Sequence, residues 1–192
     1  FDVAALKTGM LSSSAIVQTV ARKLRQYSPR NIVVDPVMSS KSKFSLLKPE
    51  ALARLKSDLL PLATVITPNI YEAELLAGCE IKTIDDAKRA AKLIHGYGPQ
   101  SVLVKGGHLI GDESTDILYA DGEFTLFTAE RIETKNTHGT GCTYSAAIAT
   151  HLGLGKDLKT AVQSAKDYIT NAIRYSLNIG HGHGPTNHFY MM

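Results

Sequence analysis

The chain has 192 residues, 44% of them hydrophobic and 20% charged, with a net charge of +3. This balance suits one globular α/β domain spanning residues 1–192, and the dispersed Lys and Arg, with no basic block, argue against a nucleic-acid or membrane partner. Cys79 and Cys142 are too few for a disulfide framework, and no stretch reaches the ~18 apolar residues of a transmembrane helix, so a reduced, cytoplasmic setting is expected.

Phe1 is not an initiator Met, and Asp2-Val-Ala-Ala-Leu6 already reads as a strand. The domain is therefore expected to be N-terminally incomplete. The apolar run Val3–Lys7 ends at Thr8-Gly9-Met10, and Ser12-Ser-Ser14 caps a helix with Ile16, Val17, Val20 and Leu24 on one face. Asn31–Asp35 is a buried-type strand stopped by Pro36. Lys48-Pro49-Glu50 opens a helix whose Leu52, Leu55, Leu59 and Leu60 form a stripe ending at Pro61. Thr64–Thr67 is a third strand, and a short helix runs from Glu72 to Ala77. Thr83, Asp85 and Asp86 start another helix that reaches about His95.

Ser101–Lys105 is a fourth strand, closed by Gly106-Gly107. Asp116–Ala120 and Glu123–Thr128 alternate around Asp121-Gly122, a hairpin signal that places an antiparallel pair at a sheet edge. Thr134–Gly141 is a glycine-rich loop entering a helix from Cys142 to about Leu152, and Asp157 caps a last long helix. Gly180–Pro185 reads as a turn-rich tail. The order predicts a largely parallel sheet with helices on both faces.

In such sheets ligands bind at the carboxyl ends of the strands. Lys7-Thr8-Gly9, Asp35, Asn69 with Glu72, and Lys105-Gly106-Gly107 all follow strands, so they are predicted to share one rim. Gly139 and Gly141 permit a tight turn, and the amides after them lack intrahelical acceptors, which makes the loop an anion site. Cys142 stands at its positive end. One anion loop, one lysine and several oxygen ligands describe a site for a nucleotide with Mg²⁺.

Each feature also has a plainer structural explanation. Asn69 and Glu72 form a helix cap with a dipole-favoured acid, Asp35 a turn residue, and Lys105 a solvated strand end. His181-x-His183 lacks further ligands at metal spacing and reads as flexible polar tail. His138 near Cys142 suggests a thiol nucleophile with its base, but Tyr144 stands where a hydrolase elbow needs glycine. No Gly-x-x-x-x-Gly-Lys-Ser/Thr loop occurs, and no Gly-x-Gly-x-x-Gly follows the first strand.

Lys7-Thr-Gly-Met10, Val34-Asp-Pro-Val-Met38, Thr67-Pro-Asn-Ile-Tyr-Glu-Ala-Glu74, Val104-Lys-Gly-Gly-His108 and Thr134–Thr143 resemble, in order, the motifs of the hydroxymethylpyrimidine/phosphomethylpyrimidine kinases. These belong to the ribokinase-like superfamily, and the match extends through Gly182–His188. The resemblance implies ATP-dependent phosphorylation of 4-amino-5-hydroxymethyl-2-methylpyrimidine and then of its monophosphate, in thiamine biosynthesis. It implies Cys142 as catalytic base and Gly139, Thr140 and Gly141 as the anion hole for the transferred phosphate. Lys105 and Thr137 are implied at the nucleotide phosphates, Asp35, Asn69 and Glu72 around Mg²⁺, and Met10 and Val37 on the pyrimidine beside Cys142. A homodimer is implied as well. Pyridoxal kinase, an enzyme doing both jobs, and a non-catalytic regulatory protein on the same fold stay open as alternatives.

Overall fold

A computed structural model of the chain describes residues 2–38, 48–107, 109 and 113–192. Phe1 and His108, quoted above, lie outside the described residues. The apolar runs form β1 (Leu6–Thr8), β2 (Ile32–Val34), β3 (Val65–Ile66) and β4 (Ser101–Val104), and the alternating pair forms β5 (Glu113–Ala120) and β6 (Glu123–Glu130). Among the described residues these strands build one sheet in sequential order, parallel from β1 to β4 and antiparallel through β5 and β6. Asp121 and Gly122 both take positive φ, which the two-residue hairpin requires.

Two helix layers cover the sheet. Helices α1 (Ser14–Tyr27), α2 (Pro49–Arg54), α3 (Ile70–Ala77) and α4 (Ile84–His95) join β1 to β4, and α5 (Thr140–Gly153) and α6 (Leu158–Arg174) follow the hairpin. Crossovers of one hand, repeated in one direction, keep α1 to α4 on one face. There Val34, Ile66, Val102 and Val104 pack with Val17, Leu59, Leu76 and Ile94. The alternate residues Val33, Val65, Leu103 and Leu118 point the other way, against Ile148, Leu152, Val162 and Ile169 of α5 and α6. Strands buried on both faces read as unbroken apolar runs, and each such side chain contributes about 1.5–3 kcal/mol of transfer free energy.

Several boundaries differ from the sequence reading. β1 begins at Leu6, and residues 2–5 are not strand. The second helix is not continuous to Pro61: α2 widens into a π turn at Leu55–Leu59 and tightens into a 3₁₀ turn at Leu60–Leu62. Pro61 has no N–H to donate, and its ring crowds the carbonyl four residues back, so the regular ladder cannot pass through it. Ile16 is exposed and Ala21 takes its place in the core stripe of α1. α5 starts at Thr140, with Gly139 as its left-handed N-cap at φ 82°, so Cys142 lies inside the first turn.

The tail also differs. Gly184 and Thr186 are buried, His138 bridges to Pro185, the His138 amide donates to Gly184 O at 3.0 Å, and the Thr186 amide donates to His138 O at 3.3 Å. His183 remains exposed, with Nδ1 3.3 Å from Lys135 O.

Candidate active site

Strand register brings the rim together. Asp35 follows β2, and Lys105 follows β4, where it bridges to Asn69 at the end of β3. Lys105 Nζ stands 3.2 Å from Asp35 Oδ1, and Thr67 Oγ1 donates to that oxygen at 3.4 Å. On the other oxygen, Oδ2, Asp35 meets Lys7 Nζ at 3.9 Å and the Ser145 hydroxyl at 3.1 Å. The Lys7 ammonium donates to Ser145 Oγ at 3.1 Å. Asp35 is 2% exposed, so its charge is held by these partners and hardly by bulk water.

Asn69 and Glu72 form a reciprocal capping box at the start of α3. Asn69 Oδ1 accepts the Glu72 amide at 2.9 Å and Glu72 Oε2 accepts the Asn69 amide at 2.8 Å. Glu72 Oε1 accepts from the Met38 amide at 3.4 Å. Burial pushes the Glu72 carboxyl above its ordinary range, against the pull of Lys105 and the backbone donors, and the Asp35 charge adds to the rise. The stabilisation this group gives is therefore complete below the ordinary glutamate range and is lost as pH rises through the shifted value. Among the described residues no three His, Cys, Asp or Glu side chains are grouped closely enough to hold a metal ion by themselves.

The glycine loop and α5 close one end of a cleft of about 520 Å³, whose lining includes Asn69, Lys105, Thr137, Thr140 and Gly141. Gly141 lies against the lysine: a Cβ there would stand 3.3 Å from Lys105 Nζ. The Thr140 hydroxyl donates to Thr137 O at 2.8 Å, fixing the turn ahead of the helix. Cys142 is exposed on the first turn of α5, outside that lining. Val37 is half-buried and Met10 is 54% exposed; Val37 lines a small hollow with Gly9 and Asp35, and Met10 does not.

The cleft also holds a buried pair that the sequence reading missed. Lys166 of α6 donates to Asp116 Oδ2 of β5 at 2.7 Å, and the two side chains are 4% and 3% exposed. Asp116 Oδ1 accepts from the Gly106 amide at 3.0 Å, which ties down the backbone next to Lys105. Burial, reinforced by the Asp116 charge, holds the Tyr144 phenol well above its ordinary value, so it stays protonated beside the pair. A signal existed: Lys166 lies one turn from both Val162 and Ile169, a charge on the apolar face of α6. Lys7 stood in a quoted motif and on the predicted rim but without a role, and Ser145 lies two residues past the last quoted motif.

Lys7, Asp35, Asn69 and Lys105 come from the ends of four different strands, and Gly141 and Ser145 bring the first turns of α5 against Lys105 and Asp35. The fold is that of the ribokinase-like small-molecule kinases, as the likeness to solved pyridoxal kinase structures at TM-scores of 0.89 and 0.90 shows. The chain belongs to the phosphomethylpyrimidine kinase family, whose model matches residues 1–187. It is 48% identical, over 95% of its length, to the thiamine biosynthesis bifunctional protein of Geobacter sulfurreducens and spans 37% of that protein. It is 47% identical, over 97% of its length, to the hydroxymethylpyrimidine/phosphomethylpyrimidine kinase of Synechococcus elongatus and spans 71% of it. The ADP complex of Bacillus subtilis pyridoxal kinase matches 98% of this chain and 70% of its own length, with a TM-score of 0.89 and 40% identity. The family and fold implied by the five motifs are thereby borne out.

Proposed function

We propose that this chain carries the site for ATP-dependent phosphorylation of hydroxymethylpyrimidine and then of its monophosphate. The observation that supports the reading most directly is the contact of Lys105 with both Asp35 and the start of α5, at the mouth of a nucleotide-sized cleft, in a member of this family. In the first transfer the acceptor hydroxyl oxygen attacks the γ-phosphorus, its proton passes to Cys142 as the general base, the bond to the β–γ bridging oxygen breaks, and ADP leaves. Phosphoryl transfer has a loose transition state, so alignment and charge neutralisation supply most of the acceleration. Lys105 and the amides of Gly139–Gly141 provide the positive field, and Asp35 aims Lys105.

The oxygen donors of Asp35, Asn69 and Glu72 fit Mg²⁺, which keeps much of its shell as water and phosphate oxygen. When bound, that ion supplies further charge neutralisation at the phosphates. Both Glu72 oxygens already accept backbone amides, so Glu72 would hold the ion through water.

The test is a Mg²⁺-ATP assay of the complete gene product on hydroxymethylpyrimidine, its monophosphate and pyridoxal, with products identified by mass spectrometry. Transfer to pyridoxal alone would overturn the choice of acceptor, a second reading favoured by the likeness to Bacillus subtilis pyridoxal kinase. Transfer to none would leave a binding protein. In the same assay Gly141→Ala should raise KM for ATP severalfold with the fold intact: alanine suits a helical position, but its methyl crowds the Lys105 ammonium. An unchanged KM would mean that Lys105 does not reach the nucleotide from there.

A further inference from the structure

Asp35 divides the rim in two. Its Oδ1 faces Lys105, which lines the large cleft, whereas its Oδ2 faces Lys7, which does not. The Lys7 ammonium lies instead beside Gly9, where a Cβ would be 3.5 Å from Nζ, and Gly9 shares its hollow with Asp35 and Val37. Lys7 is 24% exposed and its 3.9 Å approach to Asp35 is at the long end for an ion pair. Asp35 has nearer partners in Lys105 and Ser145, so Lys7 is the member of the network that can turn to an incoming anion.

The two transfers differ in their need for such a cation. The first joins a neutral alcohol to ATP. The second brings up an acceptor phosphate that carries nearly two negative charges near neutral pH. One of its oxygens attacks the γ-phosphorus, a new P–O bond forms, the bond to the β–γ bridging oxygen breaks, and the electron pair leaves with ADP. The acceptor phosphate is already deprotonated, so no base is required, but two anions must be held in contact. Lys105 lines the large cleft assigned above to the nucleotide.

We propose that Lys7 binds the phosphate of the phosphorylated acceptor and so determines specificity for the second transfer, with Ser145 holding its ammonium in place. The proposal rests on the functional reading above. In the complete gene product, Lys7→Gln should lower kcat/KM for the monophosphate at least tenfold more than for hydroxymethylpyrimidine, and Lys7→Arg should restore part of the difference. In the wild-type protein, the monophosphate should shield Lys7 from an amine-acetylating reagent more than hydroxymethylpyrimidine does, as read by peptide mass spectrometry; this arm does not depend on the variants folding. Equal losses on the two acceptors, no loss, or equal shielding would overturn the proposal and leave Lys7 as a support for Asp35. A wild-type enzyme that phosphorylates hydroxymethylpyrimidine but not its monophosphate would overturn it too, whereas one active on neither fails the functional reading itself.

Discussion

Replacing Cys142 with alanine in the complete gene product should cut turnover on hydroxymethylpyrimidine by about 10²–10⁴-fold, the usual contribution of a positioned general base, with little change in KM for ATP. The split follows from position. Cys142 is exposed on the first turn of α5 and lies outside the lining of the large cleft, so its loss should leave the nucleotide wall intact and, under the proposed role as base, fall on the acceptor step. The monophosphate should be affected much less, because its attacking oxygen has no proton to lose. Steady-state kinetics on both acceptors measure the split. Wild-type turnover on the alcohol would remove Cys142 from catalysis, and equal losses on the two acceptors would mean that it shapes the pocket without acting as a base.

Lys105→Ala should raise KM for ATP and lower kcat together, each by about tenfold or more, where a factor of ten corresponds to about 1.4 kcal/mol. The lysine lies against Gly141 at the start of α5 and pairs with Asp35, so it bears on both ground-state binding and the charge that develops on the phosphates. Its removal also takes a partner from a carboxylate that is 2% exposed, which should lower thermal stability. A melting curve separates that loss from the kinetic one, and Lys105→Met, which keeps most of the side-chain bulk, provides a second comparison. An unchanged KM for ATP in both variants would count against the phosphate role.

Much of this rim was legible in the sequence because strand ends in a parallel sheet must lie on one edge. Asp35, Asn69, Glu72 and Lys105 needed only the positions of three apolar runs to be gathered. The partners of Asp35 were harder to read. Ser145 meets it because α5 packs on the far face of β1 and β2, and nothing in the local pattern of either segment sets that docking. The Asp116–Lys166 pair spans the hairpin and the last helix, so only Lys166, a charge on an apolar stripe, betrayed it. The interrupted second helix was obscured for another reason: its leucines keep nearly the same face through π and 3₁₀ turns, and hydrophobic spacing cannot distinguish these from a regular helix.

The end of the chain reads in sequence as a polar run of glycines and histidines, yet Gly184 sits so close to Asn136 that any added Cβ would collide with its side chain. Asn136 in turn donates to Leu177 O at 3.2 Å, and the Thr143 hydroxyl lies 2.9 Å from His188 Nε2. The glycine-rich turn is thus not self-supporting: its shape is completed by a segment remote in sequence. Any gain of bulk at Gly184 therefore forces the Asn136 side chain to shift, so a change in the tail is felt directly in the glycine-rich turn.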